Sequence, residues 1–260
     1  TGELIRKTLN KHNKHIFNDI NEIVIGNVLS AGLGQNPARI AAVKAGLSHN
    51  IPSITLNHVC GSGLSALIHA AKSIFLGEND IVLAGGMESM SNAPYLMNRY
   101  RFGVKLGHQT IQDHLIQDGL YCSLIEKHMG MTAEFLANKF GVSRVSQDNY
   151  SFESHKKAIK AIDEGKFKNE IIPIEIMKKN KVELFEVDEQ PRRDTTIELL
   201  TKLKPAFKKN GMVTAGNSAS LNDGAAISII ASKKYLKQKK LKPLAKIISY
   251  AHVGVEPILM

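Results

Sequence analysis

Residues 51–63 read IPSITLNHVCGSG, and this stretch decides how the chain is expected to fold. Its first six residues are mostly apolar or β-branched, with a proline near their start, a pattern that predicts a short buried strand. The residues that follow, as far as Leu76, are rich in alanine and leucine and predict a helix. Cys60 therefore lies on the turn from a strand into a helix, where Gly61 and Gly63 allow the backbone to turn tightly.

The position of Cys60 favours a reactive sulfur but is not sufficient for one. The free backbone N–H groups at a helix start favour a negative charge on a nearby sulfur. An ordinary thiol, with a pKa of about 8.5, is only a few per cent thiolate at pH 7, and a helix end contributes less than about one pKa unit. A histidine or another cation must therefore help. On these residues alone, a catalytic nucleophile and an inert, buried cysteine beside a glycine-rich turn both stay open.

The composition is that of an ordinary soluble protein. The chain has 260 residues, of which 43% are apolar and 22% are charged, enough for one or two domains with a sizeable core. Two cysteines, Cys60 and Cys122, argue against a disulfide-built fold and favour a reducing cytoplasm. No apolar run is long enough to span a membrane, and no signal peptide precedes the first helical segment. We therefore expect a cytoplasmic protein without membrane contacts.

The net charge of +10 suggests an anionic partner. Nucleic acid, a membrane surface and a phosphate-bearing cofactor would each fit this charge. The basic residues are spread along the chain, aromatic residues make up only 6%, and tryptophan is absent. This composition disfavours a nucleic-acid surface built on base stacking. We expect no nucleic-acid partner and no metal site.

Apolar runs and glycine-rich turns alternate in the first part of the chain. Strands are predicted at Asn21–Leu29, Ile51–Leu56 and Asn79–Gly86, with helices at Pro37–Ala45 and Leu64–Leu76 between them. Strand, helix, strand, helix, strand at this spacing predicts an α/β fold in which a parallel sheet has helices on both faces.

The pattern changes between Ser91 and Ala215, where helical segments, loops and polar stretches replace the strands. We interpret this part as an α-rich insertion packed over the sheet. Its helices are expected near residues 111–119, 132–140 and 147–164. Strand patterns return at Gly224–Ala231 and at Leu244–Val253. A lone strand leaves its backbone groups unpaired, so a partner for the last strand is expected to follow.

Four stretches stand in order along the chain: Asn57–Gly63, Ala84–Ser91, His128–Glu134 and Val213–Ala226. Together they resemble the thiolase family, and within it the short-chain acetyl-CoA acetyltransferase type. The similarity runs through nearly all 260 residues, and four ordered motifs are far more specific than one glycine pattern. The resemblance implies a layered α/β fold, with helices on both faces of a mostly parallel sheet and an inserted α-rich loop domain that covers coenzyme A.

The resemblance also divides the chain into parts. It assigns residues 1–90 and 221–242 to the N-terminal thiolase domain, residues 91–220 to the loop domain, and residues 243–260 to the start of the C-terminal domain. Three further motifs of the family do not occur here: Asn-Glu-Ala-Phe, Gly-His-Pro and Cys-x-Gly-Gly. In the family the last two supply the histidine that activates the nucleophile and the second cysteine. We therefore expect the 260-residue chain to be a fragment that lacks most of the C-terminal domain, and to be inactive by itself. We use the term full-length protein for a polypeptide that contains these residues together with the three missing motifs.

In the family, the cysteine that matches Cys60 carries the acyl group. Its thiolate attacks acetyl-CoA, and a second acetyl-CoA, deprotonated at its methyl carbon, attacks the acetyl-enzyme to give acetoacetyl-CoA and CoA. Thiolysis is the reverse reaction. The resemblance thus implies an acyltransferase of fatty acid metabolism that uses coenzyme A thioesters as substrates and no cofactor. Two alternatives stay open: a degradative 3-ketoacyl-CoA thiolase that prefers longer chains, and a non-catalytic acyl-CoA-binding fragment.

The resemblance assigns the substrate contacts to the loop domain. His128 and Met129 match residues that line the pantetheine and acyl pocket, and the His-Met-Gly form favours acetyl and acetoacetyl groups. Arg192 matches a basic residue near the adenine and phosphate end of CoA. The loop that meets the pantetheine corresponds to Ser218, Ala219 and Ser220. The alternatives are a helix-start histidine held by backbone contacts and a plain surface arginine.

Two positions depart from the family pattern. The family often has serine where Ala219 stands, and some members place a CoA-contacting serine where Leu199 stands. Both departures concern polar CoA contacts and leave the nucleophile untouched. Residues 101–108 resemble the loop that assembles short-chain thiolases into homotetramers, with a plain surface loop as the alternative. Cys122 matches no motif and is interpreted as structural.

Overall fold

The structure is a computed structural model that describes residues 1–12 and 14–260. The chain forms two compact units, one of residues 1–119 and 222–252 and the other of residues 120–221 and 253–260. Each unit has its own secondary structure and its own packing. The division of the chain into thiolase domains stays a prediction.

The helices and strands are numbered in chain order. The α-helices are α1 (Gly2–His12), α2 (Pro37–Lys44), α3 (Ser62–Phe75), α4 (Met129–Lys139), α5 (Arg144–Asp163), α6 (Ile197–Thr201) and α7 (Lys233–Gln238). The strands are β1 (Glu22–Gly26), β2 (Ser53–Leu56), β3 (Ile81–Ser89), β4 (Tyr95–Leu96), β5 (Gln112–Asp113), β6 (Tyr121–Cys122), β7 (Lys127–His128), β8 (Ile174–Lys178), β9 (Lys181–Phe185) and β10 (Asp223–Ala231). A π-helical turn spans Leu115–Leu120, and 3-10 turns span Lys14–Asn18, Met90–Asn92, Tyr100–Phe102 and Pro257–Leu259. Among the helices that the structure describes, none has the length and apolar character to cross a membrane.

The main sheet of the first unit has the strand order β10-β3-β1-β2. β1 pairs in parallel with both β2 and β3, while β10 runs antiparallel along β3, from Asp223 opposite Ser89 to Ala231 opposite Ile81. Helices α2 and α3 make the two crossovers between the parallel strands. The prediction of a mostly parallel α/β sheet is therefore confirmed.

Helices cover both faces of this sheet. Ile23 and Ile25 of β1 are fully buried in a cluster with apolar residues of α1 and α2, whereas Val24 is buried in a second cluster with Ala66 and Ala70 of α3. Successive side chains of a strand point to opposite faces. This alternation places α1 and α2 on one face and α3 on the other, and it confirms the predicted layers.

The second unit contains the expected helices together with strands that the sequence analysis did not predict. α5 begins at Arg144 because the hydroxyl of Ser143 accepts a hydrogen bond from the N–H of Ser146 at 3.1 Å. Strands β8 and β9 form an unpredicted antiparallel hairpin. Its turn residues, Lys179 and Asn180, have φ angles of 47° and 64°. Two successive positive φ angles are typical of the tight turn that matches the twist of a hairpin.

Two expected elements differ from the structure. Residues 241–256 form neither helix nor strand, so the predicted strand at Leu244–Val253 is wrong. No strand of the described chain lies beside this segment, and a strand without a partner cannot satisfy its backbone groups. The helix expected near residues 111–119 is replaced by the short strand β5 and the π-helical turn.

Candidate active site

Cys60 lies between β2 and α3, where the sequence predicts it. β2 ends at Leu56, α3 begins at Ser62, and Cys60 is exposed and forms no disulfide. The residue before it, Val59, has a φ angle of 48°, in the left-handed region that β-branched residues rarely adopt. Such strained residues are often found at functional sites. The thiol is thus presented to solvent by an unusual backbone conformation.

Hydrogen bonds within the turn hold Val59 in this conformation. The N–H of His58 donates to the hydroxyl oxygen of Ser62 at 2.8 Å, and that hydroxyl donates to the carbonyl of Val59 at 2.5 Å. The N–H of Val59 donates to Oδ1 of Asn57 at 2.8 Å. Because these bonds brace the turn from both sides, Cys60 is carried by a defined backbone rather than by a free loop.

Glycines let the start of α3 pack directly on the sheet. A Cβ on Gly26, at the end of β1, would lie 2.5 Å from the backbone of Ser62. A Cβ on Gly86, in β3, would lie 3.3 Å from the Cα of Gly63. The first-turn N–H groups of α3 carry partial positive charge and lie at the end of the helix nearest Cys60.

Glu88 fixes the neighbouring loop, a role that the sequence analysis did not identify. Its carboxylate accepts hydrogen bonds from the N–H groups of Val28 and Leu29, each at 3.0 Å, and from the side-chain amide of Asn27 at 2.8 Å. Three donors on one carboxylate make a strong, charge-assisted anchor. Glu88 thereby ties the loop after β1 to the end of β3.

Asp223 holds the other side of β3. Its carboxylate accepts hydrogen bonds from the hydroxyl of Ser91 at 2.5 Å, from the N–H of Ser91 at 2.9 Å, and from the hydroxyl of Ser89 at 3.2 Å. The hydrogen bond from the Ser91 hydroxyl is the main cause that lowers the pKa of Asp223, with the Ser91 N–H next. These hydrogen bonds hold the start of β10 against the end of β3 and the turn that follows it.

In the second unit, His128 caps helix α4. Its Nδ1 accepts a hydrogen bond from the N–H of Gly130 at 3.1 Å, and its ring stacks on Phe207 with the ring centroids 4.8 Å apart. A Cβ on Gly130 would overlap the ring of Phe207, so only glycine fits there. Met129 is the first residue of α4, and it is half-buried like His128. The contacts of Nδ1 fix the imidazole at the helix start.

The loop before Ser218 is anchored on the helices of the second unit. The buried carboxylate of Glu134 accepts hydrogen bonds from the N–H groups of Met212 and Val213, each at 2.8 Å through Oε1. The side-chain amide of Asn217 donates to the buried carboxylate of Asp148 at 3.0 Å. Because buried carboxylates need such partners, these contacts hold the loop in one conformation.

The three predicted pantetheine contacts follow this anchor. The hydroxyl of Ser218 donates to the carbonyl of Thr214 at 2.6 Å, so it is engaged within the loop. Ala219 and Ser220 are exposed. The loop therefore offers an accessible edge to a ligand at its tip.

Arg192 is exposed on a segment that is fixed through its neighbours. Its backbone N–H donates to Nδ1 of His155 at 3.1 Å, and Arg193 forms a two-pronged ion pair with Asp163 at 3.0 and 2.6 Å. The hydrogen bond from Arg193 is the main cause that lowers the pKa of Asp163. No described residue forms an ion pair or a hydrogen bond with the Arg192 guanidinium. That group is available to a ligand.

The predicted site residues divide between the two units. Cys60 belongs to the first unit, and the predicted CoA contacts belong to the second. A cleft of about 700 Å³ beside α4 is lined by residues that include Lys127, Met131, Phe135 and Lys139. None of the predicted CoA contacts lines this cleft, so it does not support their assignment. Within residues 1–12 and 14–260, no group of three or more histidine, cysteine or acidic side chains could hold a metal ion.

The sheet, its two helical layers and the cysteine turn define a layered α/β protein with an exposed thiol at a strand-to-helix turn. The chain belongs to the thiolase family: the family model described as the thiolase N-terminal domain matches residues 2–234.

Sequence and structure relatives agree with this family. The acetyl-CoA acetyltransferase of Pseudomonas aeruginosa is 50% identical over 242 residues, which cover 93% of this chain and 62% of that protein. The crystal structure of the Bacillus anthracis acetyl-CoA acetyltransferase matches with a TM-score of 0.93 and 37% identity, over 98% of this chain and 64% of that one. The Acat5 thiolase of Ascaris suum, solved in complex with coenzyme A, matches with a TM-score of 0.87 and 38% identity, over 93% and 62% of the two chains. The chain thus spans about 62% of the length of the curated relatives that it matches.

Proposed function

We propose that the protein transfers acetyl groups between coenzyme A thioesters through an acetyl-cysteine intermediate on Cys60. In one direction two molecules of acetyl-CoA condense to acetoacetyl-CoA and CoA, and in the other CoA cleaves acetoacetyl-CoA. The observation that carries this proposal is the exposed thiol of Cys60 on a braced strand-to-helix turn, in a chain of the thiolase family. The name of the Pseudomonas relative, an acetyl-CoA acetyltransferase, supports the acetyl group.

The proposed reaction has two steps, the acetylation of Cys60 and the transfer of its acetyl group. The Cys60 thiolate attacks the carbonyl carbon of acetyl-CoA, and CoA leaves as its thiolate. A general base, the role that resemblance to thiolases gives to the cysteine of Cys-x-Gly-Gly, then takes a proton from the methyl group of a second acetyl-CoA. The resulting carbanion attacks the acetyl carbonyl, and the Cys60 thiolate leaves. The backbone N–H of Cys60 donates to the oxyanion that forms on the acetyl oxygen in each step. The positive end of α3 stabilises the same developing charge.

The second unit supplies the coenzyme A contacts in this proposal. His128 and Met129 line the acyl and pantetheine pocket, and Arg192 binds phosphate near the adenine end. The pantetheine meets the loop of Ser218, Ala219 and Ser220. The fixed His128 ring and the free Arg192 guanidinium support these roles, as does the coenzyme A complex of the Ascaris thiolase.

The assembly and the location are part of the proposal. Residues 101–108 carry the exposed apolar side chains of Phe102, at 91% exposure, and Leu106, at 107%. Exposed apolar tips of this kind favour contact with another chain, and we propose that this loop joins four copies. The two unpaired thiols, Cys60 and Cys122, support a reducing cytoplasm.

A chain-length comparison tests the proposed function. We expect the full-length protein to cleave acetoacetyl-CoA with CoA, and to prefer it to 3-ketoacyl-CoA of eight or more carbons by about tenfold or more in kcat/KM, an effect of the size expected for a pocket too small for added methylenes. Loss of the acetoacetyl absorbance measures the rate. A preference for the longer substrate would assign a degradative 3-ketoacyl-CoA thiolase, and binding without turnover would assign an acyl-CoA-binding protein.

Replacement of Arg192 tests the phosphate contact. We expect Arg192→Ala to weaken CoA binding to the full-length protein by about 1–3 kcal/mol, because a charge-assisted hydrogen bond to phosphate is lost. Lys181→Ala is the matched control, since Lys181 is an exposed cation on the hairpin of the same unit. Equilibrium titration at low salt measures both variants. Equal CoA affinity of Arg192→Ala and the unmodified protein would show that Arg192 is a surface residue without a role in CoA binding.

A further inference from the structure

Three polar side chains, those of His58, Ser65 and His252, form a cluster beside the Cys60 turn, and the proposed reaction does not use them. Nδ1 of His58 lies 2.6 Å from the hydroxyl oxygen of Ser65, and that oxygen lies 3.5 Å from Nε2 of His252. The two imidazole rings meet edge to face, with centroids 5.2 Å apart and an interplanar angle of 80°. All three residues belong to the first unit. We call this arrangement the histidine bridge.

His58 joins the bridge to the turn that carries Cys60. Its ring lies against Gly61: a Cβ on Gly61 would be 3.8 Å from His58 Nδ1 and 3.3 Å from the His58 carbonyl oxygen. Its backbone N–H and carbonyl are both used inside the turn, by Ser62 and by the N–H of Gly61. One residue thus holds the turn through its backbone and reaches the first turns of α3 through its side chain.

His252 joins the bridge to the irregular segment after α7. Two residues before it, Tyr250 places its ring 5.3 Å from Nζ of Lys72 on α3. Ser65 and Lys72 are seven residues apart, close to two helical turns, so they lie on the same face of α3. The segment therefore follows one face of α3 and brings His252 to Ser65, although it forms no strand.

We propose that the histidine bridge positions the Cys60 turn on α3, with His58 and His252 as positioning residues for acyl transfer; this inference rests on the proposed role of Cys60. The Ser65 hydroxyl can donate to one imidazole nitrogen and accept from the other ring. One hydroxyl can therefore link both rings, and through them the Cys60 turn and the irregular segment, to α3.

Other titratable groups lie on the same elements as the bridge. Cys60 belongs to the turn, Lys72 lies two helical turns from Ser65 along α3, and Tyr250 belongs to the irregular segment. His69, one turn beyond Ser65, is directed to Glu22, with its Nε2 3.6 Å from the carboxylate. His69 is therefore a matched control: it is a histidine of the same helix that takes no part in the bridge.

The test compares the reactivity of Cys60 in variants of the full-length protein. We expect His58→Ala, Ser65→Ala and His252→Ala each to slow the single-turnover acetylation of Cys60 by about 5- to 20-fold, because misplacement of a reacting group by about 1 Å can cost up to about 10²-fold. KM for acetyl-CoA should change less than about twofold. The Ser65→Ala and His252→Ala effects should not add, because both remove the same contact.

Two readouts separate positioning from a general structural role. His58→Asn, whose amide nitrogen replaces Nδ1, should recover most of the rate that His58→Ala loses. The rate of Cys60 alkylation by iodoacetamide at a fixed pH should fall in Ser65→Ala relative to the unmodified protein but stay unchanged in His69→Ala. Iodoacetamide needs no coenzyme A, so these rates test the bridge even if the protein does not transfer acetyl groups. Bridge variants within twofold of the unmodified protein in both assays, or a fully additive double variant, would overturn the proposal.

Discussion

Cys60→Ser is expected to reduce acetyl transfer by the full-length protein by about 10⁴-fold or more. A serine hydroxyl is almost entirely protonated where a thiol is partly ionised, and the removal of a nucleophile in comparable enzymes costs factors of this size or larger. The Cys60 side chain makes no hydrogen bond within the described residues, and the turn is held by Asn57, His58 and Ser62 instead. The substitution should therefore leave the turn and the affinity for CoA nearly unchanged.

Steady-state thiolysis and an equilibrium titration with CoA measure these two effects. Cys122→Ser is the matched control, because it removes the other thiol, which lies half-buried in β6, and it should keep nearly full activity. Activity above about 1% in Cys60→Ser, together with an inactive Cys122→Ser, would show that Cys122 and not Cys60 is the nucleophile.

The 260-residue chain alone is expected to catalyse thiolysis at least about 10⁴-fold more slowly than the full-length protein. It contains Cys60 but neither a Gly-His-Pro nor a Cys-x-Gly-Gly stretch, the motifs that resemblance to thiolases associates with the activating histidine and the second cysteine. General acid–base groups contribute about 10²–10⁴-fold each. The N-terminal end of α3 compensates for only a small part of this lost rate, because a helix end stabilises a nearby negative charge by roughly 0.3–1 kcal/mol.

The exposed apolar surface predicts a second defect of the chain alone. Phe75 is 90% exposed and Leu76 70% at the end of α3, and Leu244 and Ile248 are exposed in the irregular segment. Large apolar side chains in such positions favour aggregation. The assay uses purified chain with acetoacetyl-CoA and CoA, and light scattering reports its association. Turnover close to that of an intact thiolase would contradict this account of the acid and base groups.

The sequence predicted the sheet because β1 and β3 are apolar on both faces. Ile23, Val24 and Ile25 are all buried, two on one face and one on the other, and so they read as a continuous apolar run. The same rule failed for Leu244–Val253, where apolar residues are present but no described strand lies beside them. An apolar pattern shows that a segment can be a strand, whereas pairing requires a neighbour that the pattern does not specify.

The β8–β9 hairpin could have been predicted. Short alternating stretches flank the two turn residues Lys179 and Asn180, and asparagine tolerates the positive φ angle that this turn needs. The Asn-Gly or Asp-Gly dipeptide that usually marks such a turn is absent, so only the weaker pattern of the flanking residues indicates the hairpin.

The position of Cys60 followed from the sequence, but the contacts that hold the candidate site did not. Glu88 binds a loop some sixty residues earlier in the chain, and Glu134 binds the segment that begins at Met212. The motifs contain both acids, yet only the tertiary structure pairs them with backbone N–H groups. The same holds for Ser65 and His252, which are 187 residues apart in the chain.

Mass-spectrometric mapping of the acetylated protein tests the central claim most directly. The full-length protein is treated with acetyl-CoA alone, quenched in acid, digested, and searched for an acetyl group that hydroxylamine removes, as expected of a thioester. We predict this label on the peptide that contains Cys60, with Cys122 unlabelled and no label in Cys60→Ser. An acetyl thioester on Cys122 with Cys60 clean would contradict the assignment of Cys60 as the acyl-carrying nucleophile.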